Sequence, residues 1–304
     1  MNTQTTRALR PPGSEERFVT TSHGTLRVLH GGPETSERPP LVLIHGGGSD
    51  NAAISWYRVF TPLGREHPVW AVDLPGFGGS IDVPPVGGPR ELAACVAEVM
   101  AALDLGPAVV FGVSMGGDVA LNLALDHPQR VGALVLIAPG GLVPRLPNRR
   151  LQLGAWMLAA LPDWILLPAT RVANRFVGPA LRAIVTDPAT LPSEVVDEFV
   201  REARHPRGGV GFGRYNQATL GPTRMRNDLT DSVRRITVPV LIFHGEEDPM
   251  VDPEGSRRAA RNLPQGRLVM VPDCGHWAQL EAHDRFLAEV GPFLDSLDET
   301  AVQD

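Results

Sequence analysis

A serine between two glycines, where an apolar run changes into a helix-like run, is the first feature of this sequence that could do chemistry. Ser114 lies in "VVFGVSMGGDVALNLAL", flanked by Gly112 and Gly116. Glycine turns a chain readily because it has no Cβ, and G-x-S-x-G is typical of a strained strand-to-helix elbow that presents a nucleophilic hydroxyl. The pattern indicates either a nucleophile or only a tight turn, and partner residues must decide.

A serine hydroxyl needs a base to take its proton, and nine histidines compete for that role. His276, in "VPDCGHWAQLE", follows the strand-like "RLVMV" and lies in a loop before the final helix. His45 opens a glycine run, His127 precedes a proline at a helix end, and His244 ends a strand, so each has a local structural role. We therefore predict that His276 is the base.

The orienting acid is expected in "PVLIFHGEEDPMVDP", directly after a strand. Asp248 is preferred because Pro249 fixes the turn and because the chain order Ser114, Asp248, His276 is a known order of serine, acid and histidine. The other carboxylates of this cluster suit a cap of the next helix better, and they are Glu246, Glu247 and Asp252.

A site for the developing oxyanion completes the candidate chemistry. "LVLIHGGGSDN" places three glycines directly after a strand, where backbone can approach a ligand closely, or where they merely form a turn. The residue after the nucleophile is Met115, at a helix start. We expect the N–H groups of Gly47 and Met115 to be the oxyanion donors.

Composition excludes several classes of function. The sequence has no lysine, so Schiff-base chemistry and a G-K-[ST] phosphate loop are absent, and no glycine cluster satisfies G-x-G-x-x-G. A net charge of −6 argues against nucleic-acid partners and anionic membrane surfaces. Cys95 and Cys274 lack metal-ligand spacing. We expect a cytoplasmic protein that acts on a small molecule without a metal or cofactor; the oligomeric state stays open.

Short apolar runs alternate with helical patterns, as in an α/β protein with a mostly parallel sheet. The runs are "LVLIH", "VWAVD", "VVFGV", "ALVLIA" and "PVLIFH", and "RFVTTSHGTLRVLHGG" predicts a hairpin before them. The polar residues 1–16 are expected to be a flexible leader without a secretory signal.

One connection is far longer than a parallel crossover needs. From "ALVLIA" to "PVLIFH" the chain runs for about a hundred residues, so we expect a core of residues 17–140 and 229–298 with a helical cap at 141–228. The large apolar residues of the cap either line an acyl pocket or form the cap's own core, and they include Trp156, Met157, Leu161, Trp164 and Leu167.

Taken together, "LIHGGG", "AVDLPGFGGS", "GVSMGG" and "HGEEDPMV…CGHW" resemble the α/β-hydrolase superfamily across about residues 17–298. The resemblance implies a cap inserted after the sixth strand, a structural role for Asp73, and the catalytic roles already given, with Ser114 as nucleophile. A serine disfavours the epoxide hydrolase and haloalkane dehalogenase branches, which use aspartate at that position.

Two branches of this superfamily, which act on different substrates, fit the sequence. "HGGG", "APGGL" and "CGHWAQLE" look like the meta-cleavage-product hydrolases, which cut carbon–carbon bonds. Those enzymes usually have asparagine where this chain has Val113, and a cap arginine near the place of Phe199, although Arg201 or Arg204 could substitute. We therefore expect a carboxylesterase-like enzyme, with the carbon–carbon hydrolase and a non-hydrolytic binding protein as alternatives. The substrate is expected to contact Val113, Trp156, Trp164, Phe199 and Trp277.

Overall fold

The computed structural model describes residues 8–162, 164–166, 168, 172, 174 and 177–301, in which eight strands form one sheet. The strands are β1 (Glu15–Thr21), β2 (Gly24–Gly31), β3 (Leu41–Ile44), β4 (Val69–Val72), β5 (Ala108–Val113), β6 (Val131–Ile137), β7 (Val240–Gly245) and β8 (Gly266–Val271). Their spatial order is β1-β2-β4-β3-β5-β6-β7-β8. The pairs β1–β2 and β2–β4 are antiparallel, and all other neighbours are parallel.

The strands coincide with the apolar runs that predicted them. The predicted hairpin is β1–β2, with Thr21 opposite Gly24. Because β1 begins at Glu15, the leader expected at 1–16 ends two residues inside this strand. Residues 1–7 lie outside the described part of the chain, while Pro12 is already tied to the core by a hydrogen bond from Thr61 Oγ1 to its carbonyl.

Helices cover both faces of the sheet. They are α1 (Ala52–Ser55), α2 (Phe60–Leu63), α3 (Pro89–Ala102), α4 (Met115–Asp126), α5 (Arg149–Ala159), α6 (Val177–Arg182), α7 (Ser193–Arg204), α8 (Val210–Thr219), α9 (Pro253–Asn262), α10 (Ala278–Glu281) and α11 (His283–Ala301). Short 3-10 turns lie at Gly78–Ser80, Pro128–Arg130, Pro188–Thr190 and Ser232–Arg235. None of the described helices has the length and apolar character to cross a bilayer.

The sheet divides the core into two apolar clusters, as expected for strands whose side chains alternate between faces. In β5, Val109, Phe111 and Val113 pack into one cluster, whereas Ala108 and Val110 pack into the other. Both faces of the central strands are therefore buried, which explains why these strands are apolar at nearly every position.

The helical cap is inserted between β6 and β7, and its described helices include α5 to α8. Helix α7 coincides with "SEVVDEFVREAR" and buries Val195, Phe199 and Ala203, which are spaced four residues apart and share one helical face. That face points at the protein interior, so the cap is packed onto the end of the sheet where the candidate serine lies.

Candidate active site

Ser114 occupies a strained turn between β5 and α4. Its backbone angles are φ 53° and ψ −117°, a conformation that a residue with a side chain rarely adopts. A Cβ on Gly112 would lie 2.3 Å from the carbonyl oxygen of Gly116, and a Cβ on Gly116 would lie 2.2 Å from that of Ile44. Glycine is required at both positions because backbone leaves no room for a side chain, which explains the spacing of the motif.

The structure brings Asp248 and His276 together. His276 Nδ1 lies 2.7 Å from Asp248 Oδ2, and the carboxylate is fully buried. Because Nδ1 faces a carboxylate, it carries the proton, and Nε2 is left as the basic ring nitrogen. Ser114 and His276 line the same cavity of about 170 Å³.

Asp248 is held on all sides by hydrogen-bond donors. Its Oδ1 accepts from the N–H groups of Met250 at 2.7 Å and Val251 at 3.0 Å, and its Oδ2 also accepts from His244 Nε2 at 3.0 Å. Burial raises the pKa of Asp248, but the hydrogen bonds from His244 and His276 outweigh it and hold the pKa well below its usual range. The acid therefore stays ionised beside its histidine.

His244, which the sequence pattern placed at a strand end, also contacts the carboxylate of Asp248. Its Nδ1 lies 2.7 Å from Ser256 Oγ, while Nε2 faces two acceptors, Asp248 Oδ2 and the Val251 carbonyl. Nε2 therefore carries the proton and Nδ1 accepts from the serine hydroxyl. The four-residue spacing from His244 to Asp248 across a turn was the available signal.

The other carboxylates considered for the role of the orienting acid lie in different surroundings. Asp252 caps α9 by accepting from the Glu254 N–H at 2.9 Å, and Glu247 accepts from the Cys274 N–H at 3.0 Å. Glu246 is exposed at the surface. Asp73 binds the Ala52 N–H at 2.8 Å and the Arg27 guanidinium, as a structural residue does.

The loop after β3 lies beside the serine, because Gly46, Gly47 and Gly48 line the same cavity as Ser114. The Gly46 N–H is bound by Asp50 Oδ2 at 2.9 Å, which fixes the loop. The N–H groups of Gly47 and Met115 donate to no acceptor among the hydrogen bonds of the described residues. A Cβ on Gly47 would lie 2.4 Å from the Phe212 ring, so glycine is also required where the cap closes on this loop. Both N–H groups are therefore candidates to bind an oxyanion.

A second cavity of about 530 Å³ adjoins the cavity at Ser114 on the side of the cap. Gly48, Val177, Phe199 and Phe212 line both cavities. None of the described residues that line the larger cavity is charged. The space can therefore hold an uncharged, apolar group next to the serine.

Two of the five predicted substrate contacts line these cavities. Phe199 lines both, and Trp277 lines the smaller one, packed edge-on against Phe199 with ring centroids 5.6 Å apart. Phe212 of α8 also lines both and was missed, because no sequence pattern indicates which face of α8 points at the site.

The other three predictions do not match the structure. Val113 is fully buried in the core on one face of the sheet, because alternation along β5 turns it away from the cavity. In α5 the lining residues are Ala155, Leu158 and Ala159, so the intervening Trp156 faces another direction. Trp164 is 75% exposed. Leu167, expected in the same apolar run, lies outside the described residues.

The cap arginine proposed to bind a carboxylate is already paired. Arg201 Nε lies 2.7 Å from Glu198 Oε2, and its Nη2 lies 2.6 Å from Glu198 Oε1 and from Glu202 Oε1. Two carboxylates thus neutralise this guanidinium. Arg204 is exposed at the end of α7 and lines neither cavity.

Comparison with known proteins identifies one family and several similar proteins. A family model described as alpha/beta hydrolase fold matches residues 39–283. The dihydrolipoyllysine-residue acetyltransferase component of the acetoin cleaving system of Pseudomonas putida is 30% identical over 256 residues, or 84% of this chain, which spans 63% of that protein. The 2-hydroxy-6-oxo-6-phenylhexa-2,4-dienoate hydrolase of Burkholderia cepacia is 28% identical, covering 81% of this chain and 84% of that protein. A thermophilic esterase from Thermogutta terrifontis shares the fold, with a TM-score of 0.72 at 23% identity over 93% of this chain and 99% of that one.

Proposed function

The chain belongs to the alpha/beta hydrolase fold family, whose model matches residues 39–283, and we propose that it is a serine hydrolase that cleaves small to medium, largely apolar carboxylic esters. The proposal rests on the elbow at Ser114, the pairing of His276 with Asp248, and the uncharged cavities beside them. These groups supply a nucleophile, a base and a space for an acyl group.

The reaction proceeds in two halves. Ser114 Oγ attacks the ester carbonyl carbon while His276 Nε2 takes the hydroxyl proton, and the tetrahedral oxyanion accepts hydrogen bonds from the N–H groups of Gly47 and Met115. The intermediate expels the alcohol, which receives the proton from His276, and leaves an acyl group on Ser114. Water, deprotonated by His276, then attacks the acyl-enzyme and releases the carboxylic acid and the free serine.

Asp248 supports both halves without taking a proton. Its pKa lies well below the usual range because His244 and His276 hydrogen-bond to it despite its burial. The ionised carboxylate holds His276 Nδ1–H and stabilises the positive charge that the imidazole gains when it accepts the serine proton.

The pairing of Arg201 is the observation that favours ester hydrolysis over carbon–carbon cleavage. A dienol diketone substrate with a carboxylate needs a positive partner in the pocket, because an unpaired buried charge costs several kcal/mol. Arg201 is occupied by Glu198 and Glu202. The described lining residues of both cavities include no arginine, which suits an uncharged acyl group better.

Carbon–carbon hydrolysis is the second candidate, favoured by the 28% identity to a dienoate hydrolase along most of its length. The test compares kcat/KM for p-nitrophenyl acetate, butyrate and octanoate with that for a 2-hydroxy-6-oxo-dienoate under the same conditions. We expect every ester to be turned over more efficiently than the dienoate. The opposite ranking would overturn the proposal, and turnover of none of them would favour a non-hydrolytic member of the fold.

A further inference from the structure

Large exposed apolar side chains concentrate on the cap. Among the described residues eight such side chains are exposed, and six of them lie between residues 151 and 172. Four belong to α5, namely Leu151, Leu153, Met157 and Leu158, which we call the cap apolar face. Their exposed fractions run from 41% to 57%, and Trp164, which follows in the chain, is 75% exposed. A concentration of this kind marks an interaction surface.

The cap apolar face is one side of α5, not scattered contacts. Leu151 and Leu158 are seven residues apart, and Leu153 and Met157 are four apart, so each pair shares a helical direction. The opposite side carries Gln152 and Ala159, the two buried residues of this helix. A helix that packs one side normally presents polar residues on the other, and α5 instead presents apolar ones.

Positive charge lies beside the N-terminal end of this face. Arg145, Arg149 and Arg150 are exposed, and no ion pair joins any of them to a carboxylate among the described residues. From residue 145 to residue 182 the sequence contains six arginines and a single acid, Asp163, although the chain as a whole carries −6. The net charge therefore hides a basic stretch of the sequence.

The same face leads to the active site. Leu158 is 57% exposed and also lines the 530 Å³ cavity, which shares four lining residues with the cavity at Ser114. Leu158 therefore lies both on the outer surface of the cap and on the wall of the cavity that adjoins the one at the nucleophile.

From this combination we propose that the cap apolar face docks on an anionic lipid surface. The apolar side chains enter the acyl boundary while Arg149 and Arg150 bind lipid phosphates, as basic amphipathic helices do. A second copy of this chain is the less suitable occupant, because it would bring arginines to arginines without carboxylates between them. That ester substrates reach the larger cavity from this surface rests on the proposed function, whereas docking itself does not. This proposal departs from the expectation, drawn from the net charge, that anionic membrane surfaces are not partners.

Vesicle binding tests the proposal, using the full chain with Ser114→Ala so that hydrolysis does not alter the lipid. Flotation with phosphatidylglycerol–phosphatidylcholine vesicles is compared with flotation on phosphatidylcholine alone. We expect binding to the anionic vesicles, weakened at least about tenfold by Leu153→Gln with Met157→Gln. Arg149→Gln with Arg150→Gln should weaken it by about thirtyfold and remove the preference for anionic lipid.

Matched controls lie elsewhere on the surface. Phe18, 65% exposed on β1, and Arg235, exposed in a 3-10 turn, are changed to glutamine and should leave vesicle binding unchanged. In an otherwise wild-type chain, the α5 variants should keep wild-type kcat/KM on a water-soluble ester, because none of their positions lines the cavities; this also verifies folding.

Three results would overturn the docking proposal: no binding of the Ser114→Ala chain to anionic vesicles, equal loss in the control variants, or a dimer in light scattering that Leu153→Gln with Met157→Gln dissociates. The last result would make the face an interface between copies. Binding to vesicles without turnover of any ester by the wild-type chain would instead refute the proposed function and leave the docking intact.

Discussion

Asp248→Asn should abolish most of the esterase activity, because asparagine cannot satisfy the four donors around this side chain. One carboxylate oxygen accepts from His276 and His244, and the other accepts from the N–H groups of Met250 and Val251. An asparagine has one oxygen and one NH2 group. In either orientation, the NH2 group therefore faces two donors.

The two orientations of the asparagine side chain impair the protein in different ways. If the oxygen faces His276, two hydrogen bonds to an ionised acceptor are lost at the Met250–Val251 turn, which costs about 3 to 6 kcal/mol of stability. If the NH2 group faces His276, it donates to Nδ1, so the ring proton moves to Nε2 and the histidine cannot accept the proton of Ser114. The same substitution in a serine protease triad lowers kcat about 10⁴-fold, or about 5.5 kcal/mol.

Asp252→Asn is the matched control. Asp252 caps α9 through the Glu254 N–H at 2.9 Å, and asparagine caps a helix about as well as aspartate. Initial rates on p-nitrophenyl butyrate, with urea unfolding of both variants, should show a loss of about 10³-fold to 10⁴-fold for Asp248→Asn and none for Asp252→Asn. Equal losses in the two variants, or retention of wild-type activity in Asp248→Asn, would refute the assignment of the acid.

Three further variants test the surroundings of the site. Phe199→Ala joins the two cavities and should raise kcat/KM for octanoate relative to butyrate about tenfold, whereas Trp164→Ala, at an exposed position, should leave that ratio unchanged. Gly112→Ala places a Cβ 2.3 Å from a backbone oxygen and should lower the free energy of unfolding by about 1 to 3 kcal/mol in urea. Burial raises the pKa of Asp118 from the ordinary 3.8 to about 7. The folded protein therefore favours the protonated carboxyl, and the stability that this protonation contributes is lost as pH rises from 3.8 to 7. That loss is on the order of 4 kcal/mol, and Asp118→Asn should flatten the fall in melting temperature across this range; an unchanged profile would contradict the shift.

The strands and the strand-to-helix elbow were predictable because local chemistry determines them. Continuous apolar runs form strands wherever both faces are buried. The elbow needs glycine because backbone atoms leave no room for a Cβ at Gly112 or Gly116. The family match confirms the fold and the superfamily inferred from these motifs.

The walls of the pocket could not be predicted, because they depend on how each cap helix is rotated against the core. The sequence indicates that α5 is apolar, but only packing decides that Ala155 and Leu158 line the cavity while Trp156 does not. Arg201 forms an ion pair with Glu198, three residues earlier on α7. The sequence spacing allows this pair, but it does not show whether the arginine binds Glu198 or a substrate.

The most direct test of the proposed reaction is to trap its covalent intermediate. The enzyme is mixed with p-nitrophenyl butyrate, quenched in acid within one turnover, digested and analysed by mass spectrometry. The proposed mechanism predicts one butyryl group on the peptide that contains Ser114, and no such group in Ser114→Ala. A butyryl group on another residue, or steady turnover without any acylated peptide, would contradict it.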